Sequence, residues 1–392
     1  MKVFRDFTYD NQSTTTDQII PIYHLKGEDL NLPPGSILFD QQTNNFYGSD
    51  NNYALVPLST RNVTTINTGI TPAGSAITSD GKFLYVANNN NYGIQDSVTV
   101  IDLSTNLPIK TIVDASFNQA YTITINSSNT KAYVTNSAGS TVSIIDISSN
   151  TVVGIISGFD GPSGMVINGN VGYVNNYGAG VNSGNGTTVR TVDLVNNVII
   201  GSPIIVGQAP AALAISSDGK FVYCINYVTG VANNGTMSII QTSTNTVVNT
   251  VVNTVSGLFG PFGITLSSHF AYVSNFGSNN FDPFGSTVSV IDLNSNTIVH
   301  TINVGIQPSG IVASLDGRYI YVCNYNTLYA GVDFTNLTAG QGTVNIIDTS
   351  TYMLIPPTIT VGQSPGNITI NPNGKYMYVS NFTSNTISVI ST

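Results

Sequence analysis

At 392 residues the chain has room for several domains, but charged residues supply only 8% of it and hydrophobic residues a near-normal 41%. Asn, Ser, Thr and Gly take the place of charge. Together with 37 Gly, 16 Pro and many strand-favouring Val, Ile, Thr and Tyr, they argue against disorder and for an all-β protein rich in turns. A net charge of −9 with 11 singly scattered basic residues excludes a patch able to neutralise a row of phosphates or an anionic membrane, and no run approaches the roughly 18 apolar residues of a spanning helix.

The first ten residues, Met1 to Asp10, carry basic side chains but lack the apolar stretch of a secretory signal, so none is expected. Residues 1–32 show no periodic pattern and read as an attachment arm. From Pro33 to Leu58 a strand–turn–strand pattern runs through Pro33-Pro-Gly-Ser-Ile-Leu-Phe-Asp40, Phe46-Tyr-Gly-Ser-Asp50 and Tyr53-Ala-Leu-Val-Pro-Leu58. The favoured division is an N-terminal arm and β-hairpin module over 1–60, followed by a repeat domain over 61–392. The alternative makes the hairpin region a degenerate extra copy of the repeat, with Gln18 to Leu25 as its closing strand.

From residue 61 onward one signature recurs: Tyr85-Val-Ala-Asn88, Tyr133-Val-Thr-Asn136, Tyr173-Val-Asn-Asn176, Tyr223-Cys-Ile-Asn226, Tyr272-Val-Ser-Asn275, Tyr321-Val-Cys-Asn324 and Tyr378-Val-Ser-Asn381. Its copies lie 40 to 57 residues apart, the spacing of a four-strand propeller blade. Each unit begins with a Pro- and Gly-containing turn and a short apolar strand. A tight turn follows, such as Asp80-Gly81-Lys82, Asp218-Gly219-Lys220, Asp316-Gly317-Arg318 or Asn373-Gly374-Lys375, in which Gly tolerates positive φ. The signature strand is next, then a loop of variable length, a third strand ending in Asp, and a fourth such as Thr297 to Val304. Four sequential antiparallel strands repeated seven times make a seven-bladed β-propeller. The last unit stops at Thr392 after three strands, and Val63-Thr-Thr-Ile66 reads as the missing fourth, closing the ring between the chain's two ends. Under the alternative division the propeller has eight blades.

The Tyr-Val-Thr-Asn strand, the Asp-Gly-Lys turn and the Val-Ser-Val-Ile-Asp strand resemble those of the YVTN family of seven-bladed propellers found in surface-layer-type proteins. The resemblance covers roughly 61–392, and it implies a fold more strongly than a function. The region before it resembles the hairpin modules that precede functional domains in fibre-like proteins of phages and large DNA viruses.

Candidate chemistry is sparse. Cys224 and Cys323 sit on signature strands of separate units, offset by one residue, and are expected as buried free thiols. Asp102, Asp146, Asp193, Asp292 and Asp348 end third strands before Ser, Thr or Asn and are expected to cap turns. His24, His269 and His300 share no metal-ligand spacing, so neither metal nor cofactor is expected. The conspicuous variation is in the loops after the signature, which are long at 89–97, 177–187, 227–236, 276–286 and 325–342. They carry Tyr92, Tyr177, Tyr227, Phe276, Phe281, Phe284, Tyr325, Tyr329 and Phe334 among Asn and Gly, the composition of adaptable recognition surfaces. These aromatics, and Phe382 in the corresponding place of the last unit, read either as partner contacts or as rings filling the central channel.

The sequence thus predicts a non-enzymatic binding or structural protein displayed on a cell or virion surface. Its expected partner is a protein or glycan on such a surface, or a second copy of the chain, with no role for nucleic acid or membrane insertion. One alternative is an intracellular, cytoplasmic scaffold for protein–protein interaction. The other is a lactonase-like hydrolase, which would need carboxylate, His or Arg converging at the axial opening.

Overall fold

The signature strands end on a Gly- or Asn-rich loop and begin after a two- to five-residue turn, which leaves a meander of short antiparallel strands as the local solution. The computed structural model describes residues 61–90, 95–180, 183–227, 235–248, 254–277, 284–329 and 337–392, and four strands before residue 61; for those four and for 254–257, 284, 327–329 and 337–339 it describes the backbone. The chain divides into two compact units, Met1–Arg61 and Asn62–Thr392.

The larger unit is a seven-bladed propeller of four-stranded antiparallel blades. Blade 1 comprises Pro72–Ile77, Phe83–Asn88, Ser97–Asp102 and Leu107–Val113, from axis to rim. Blades 2 to 6 begin at Ala120, Pro162, Pro210, Pro261 and Pro308 and repeat this order. Blade 7 takes Pro365–Ile370, Tyr376–Asn381 and Thr386–Ser391 from the C-terminus and its rim strand, Val63–Asn67, from the start of the repeat domain. That strand runs antiparallel to Thr386–Ser391, with Ile66 opposite Ile387. Thr68 N–H donates to Asn385 O (3.1 Å) and Thr71 N–H to Asn385 Oδ1 (2.7 Å), extending the closure into the loop above.

Closure at seven excludes the eight-bladed arrangement. The strands before residue 61 form a separate sheet, Ile22–His24, Ile37–Asp40, Asn45–Ser49 and Leu55–Pro57, in that order. Its first pair is parallel, Tyr23 opposite Leu38, which the antiparallel meander of a blade does not contain. Blade 4 departs from the plain repeat: its rim strand is split into Thr246–Val247 and Thr254–Leu258, both paired to Gly235–Gln241.

Each boundary between blades holds its own apolar core. Tyr85, Val100 and Ile112 of blade 1 meet Ile123, Val134 and Ile145 of blade 2. At the closure, Tyr378, Ile387, Val389 and Ile66 meet Leu84, Val86 and Ile101. The signature strand is therefore buried on both faces, and polar and apolar residues alternate in exposure only at the rim. Cys224 packs in the core between blades 3 and 4 and Cys323 in that between blades 6 and 7; both are free and buried, and burial pushes both thiols up.

The signature residues have separate duties. Its Tyr reaches the rim turn of the next blade: Tyr85 Oη donates to Asn150 Oδ1 (2.6 Å) and Tyr173 Oη to Asn245 Oδ1 (2.7 Å). Both acceptors occupy left-handed turn positions, with φ of 53°, which Asn tolerates. Its Asn ties the second strand to the third. Asn275 Nδ2 donates to Thr287 Oγ1 (2.9 Å) and Ser289 Oγ (2.8 Å), and Asn381 Nδ2 to Thr386 Oγ1 (3.1 Å) and Ser388 Oγ (2.9 Å). The chain leading into the blade crosses directly over this Asn. A Cβ on Gly207 would lie 2.6 Å from Asn226 Cγ, and one on Gly362 2.5 Å from Asn381 Cγ, so Gly is required there.

Candidate functional site at the axial opening

The two ends of the ring differ. At one end lie the Asp-Gly-Lys turns, which are stitched to one another. Asn168 Nδ2 donates to Gly219 O (2.8 Å), Ser267 Oγ to Gly317 O (3.0 Å), and Ser79 N–H to Asn129 Oδ1 (2.8 Å). Within each turn the Asp is also committed: Ser216 Oγ donates to Asp218 Oδ1 (2.7 Å), as does Lys220 N–H (3.1 Å). The same end carries the rim turns, where Asp102, Asp146, Asp193, Asp292 and Asp348 accept from backbone N–H groups two or three residues on. Those five aspartates are turn caps. Hydroxyl donors, Ser104 for Asp102 and Ser148 for Asp146, hold their carboxyls below the usual range.

At the other end lie the long loops and the chain segments leading into each blade. Just before the first residue of every inner strand stands a left-handed residue: Thr71, Gln119, Gly161, Ala209, Gly260, Gln307 and Ser364. Its carbonyl accepts from the N–H of the residue following the signature Asn, as in Tyr177 to Gly161 (2.9 Å), Tyr227 to Ala209 (2.9 Å), Phe276 to Gly260 (3.0 Å), Tyr325 to Gln307 (3.0 Å) and Phe382 to Ser364 (3.0 Å). This bond turns the residue after the signature toward the axis. Five of seven blades place an aromatic ring there.

These rings line a cavity of about 860 Å³ on the axis, together with the inner strands. The rings interlock on one side. Phe262 and Phe276 lie 5.3 Å apart between centroids, Phe276 and Tyr325 5.8 Å and edge-on, and Tyr227 Oη donates to Gly277 O (2.6 Å). Burial pushes the Tyr121 phenol up, and the Tyr177 and Tyr325 phenols facing it push it further; burial likewise raises Tyr177. Tyr121 and Tyr177 therefore stay neutral donors through the physiological range. On the other side, blade 7 adds Phe382, and the inner strands of blades 7 and 1 contribute Gly366, Ala73 and Gly74. A Cβ on Gly366 would meet nothing within 4 Å. None of the described lining residues is charged.

Of the nine aromatics singled out in the sequence, Tyr177, Tyr227, Phe276 and Tyr325 come together on this cavity, joined by Phe382. Phe284 opens the third strand of blade 5 opposite Gly277, and Tyr329 lies in a two-stranded ribbon, Thr327–Tyr329 with Leu337–Ala339, between the second and third strands of blade 6 in the chain. Tyr92, Phe281 and Phe334 lie outside the described residues. Two lining aromatics, Tyr121 and Phe262, were not singled out, because the segments nearest the axis read as Gly-, Pro-, Ala- and Ser-rich. Their signal lies in the repeat: each occupies the inner-strand position held elsewhere by Ala73, Ser163, Ala211, Ser309 and Gly366. His269 and His300 are exposed, and His300 stacks on Tyr352 at 3.9 Å; His24 lies in the strand Ile22–His24. Among the described residues no group of three or more His, Cys, Asp or Glu is arranged to hold a metal ion.

Comparison with known proteins agrees on the architecture. No known family profile matches the chain. A seven-bladed β-propeller protein of Mycobacterium tuberculosis, Rv1057, is 30% identical over 168 residues, which is 42% of this chain and 35% of that protein. The match thus spans about a third of the relative's length. Among solved structures, hydrazine synthase of Kuenenia stuttgartiensis superposes with a TM-score of 0.67 at 20% identity, over 82% of this chain and 96% of that one. At that identity the likeness is one of fold.

Proposed function

We propose that the chain is a non-enzymatic binding protein of the YVTN-repeat kind, displayed on a cell or virion surface, which takes its partner at the aromatic opening of the loop-bearing end. The observation that carries this reading is the cavity itself. It is lined by rings, hydroxyls, amides and small residues with no charged group among the described ones, and it opens where the loops are long. Such chemistry holds a ligand; it supplies no group of suitable basicity to activate water, as a lactonase-like reaction would need. A rigid scaffold carrying long loops at one end is a common basis for recognition. The opposite end, whose turns are hydrogen-bonded to each other, has little to offer a partner. In this reading the hairpin module in the first 60 residues, similar to those of viral fibre-like proteins, attaches the propeller to its particle or cell. The intracellular scaffold is a second reading, favoured by the two free thiols, and it would use the same opening.

The test is adsorption of the purified chain to the cells or particles of its source. Tyr177→Ala combined with Tyr325→Ala should weaken adsorption roughly tenfold or more, as loss of two anchoring aromatics commonly does. Lys82→Ala with Lys220→Ala, at the opposite end, should leave it unchanged. The reading fails if the aromatic variant adsorbs like the unaltered chain while its melting temperature shows it folded.

A further inference from the structure

The axial cavity is asymmetric in a way its sevenfold frame does not require. Blades 3 to 6 present Tyr177, Tyr227, Phe276 and Tyr325, a nearly continuous aromatic wall. Blade 7 adds Phe382, but the inner strands of blades 7 and 1 present Gly366 and Ala73, and at Gly366 the space beyond the backbone is open. We infer that this cavity is a saccharide site, holding the terminal ring of an uncharged glycan flat against the aromatic wall with its hydroxyl groups turned to the small-residue wall. The inference rests on the proposed binding role and names its ligand class.

Three features select that class. First, with no charged side chain among the described lining, an anionic ligand meets no cation to pair with, so phosphate, sialylated or uronic acid groups gain nothing there. Second, a wholly apolar ligand would bury the Tyr121 and Tyr177 hydroxyls and those inner-edge backbone groups that no neighbouring blade bonds, and each polar group so buried carries a desolvation cost. The seven inner strands each pair on one side only, so their inner edges turn backbone N–H and C=O groups toward the channel. Third, about 860 Å³ falls within the roughly 300–1,000 Å³ of small-ligand pockets, and the combination of ring faces with a few fixed polar groups is how such pockets orient amphipathic ligands. A pyranose ring has apolar C–H faces and a polar rim, and it satisfies both walls at once. The neutral phenols of Tyr121 and Tyr177 are available as donors over the whole physiological pH range.

The repeat also supplies a clean obstruction. Gly366 stands where blades 2 and 5 carry Tyr121 and Phe262, so the fold accepts an aromatic at that position. Its φ lies outside the left-handed region, so no strain follows from a side chain. Gly366→Tyr therefore projects a ring into the open half of the cavity with little expected change in stability.

The experiment is saturation-transfer NMR with the full chain and defined probes: lactose, maltotriose, N,N′-diacetylchitobiose and tetramethylammonium. At least one saccharide should show transfer concentrated on its terminal ring protons. For that saccharide, Gly366→Tyr should weaken affinity at least about tenfold, and Tyr325→Ala by roughly fivefold or more. Lys220→Ala should bind as the unaltered chain does. If Gly366→Tyr fails to fold, Tyr325→Ala decides alone. The inference is overturned if no saccharide binds, if tetramethylammonium binds in place of saccharide through the ring faces, or if both cavity variants retain full saccharide affinity. Should saccharide binding fail while Tyr177→Ala with Tyr325→Ala still abolishes adsorption, the site stands and its ligand class is wrong. If adsorption too is unaffected, the opening is not the binding site.

Discussion

At the scale of single residues, the signature Tyr and Asn do their work across strand and blade boundaries. Tyr173 fills the core between blades 3 and 4 and donates its hydroxyl to Asn245 in the next blade's rim turn. Tyr173→Phe keeps the packing and should cost about 1 kcal/mol, the net worth of one hydrogen bond. Tyr173→Ala also opens a cavity and should cost about 3–5 kcal/mol, read from urea midpoints at equal slope. Near-equal losses would mean that the ring contributes little beyond its hydroxyl. The turn aspartates make a separate prediction about pH. Asp218 is held down to about 2 by the Ser216 hydroxyl and then the Lys220 N–H, against an ordinary value of 3.8, and Asp102 and Asp146 are lowered in the same sense by Ser104 and Ser148. A carboxyl depressed in the folded state stabilises above its unfolded value, and that stability is lost as pH falls through the folded one. Melting temperature should therefore hold from pH 7 to 5 and fall between about pH 4 and 2. A steep loss above pH 5 would implicate other groups.

At the scale of the element, the decisive strand is the one that joins the two ends of the chain. Removing residues 1–60 takes away no strand of the propeller and should leave a cooperative unfolding transition at nearly the same temperature. Removing 1–68 strips Val63–Asn67 from Thr386–Ser391, exposes Ile387, Val389 and Ile390, and should lower the transition strongly or abolish cooperativity. Equal damage from both truncations would contradict closure at seven blades. This closure was legible in the sequence, because a lone fourth strand upstream and a missing one downstream are complementary gaps in a sevenfold redundant pattern. The Asp caps were legible too, since an Asp–Ser or Asp–Leu-Asn turn is a local matter. Contacts between units were not: nothing in a single repeat shows that Tyr85 seeks Asn150 in the next one. The split rim strand of blade 4 and the parallel pairing of Ile22–His24 with Ile37–Asp40 were equally hidden, because each depends on which neighbour supplies the edge.

At the scale of the whole molecule, the ring has a stitched end and a loop-bearing end, and the aromatic opening belongs to the second. The loop aromatics were visible as composition, but their convergence was not. It depends on the repeated bond from the N–H after the signature to the left-handed carbonyl before the inner strand, which in six of the seven blades brings the residue after the signature to the cavity. The most direct measurement of the central claim is photo-cross-linking on the intact source surface, with benzoylphenylalanine placed at Ser183 beside the opening or at Lys220 on the opposite end. Ser183 should yield a discrete cross-linked product that is suppressed in the Tyr177→Ala, Tyr325→Ala background, and Lys220 should yield none. Products from Lys220 alone, or equally from both positions, would contradict the assignment of the opening as the working end.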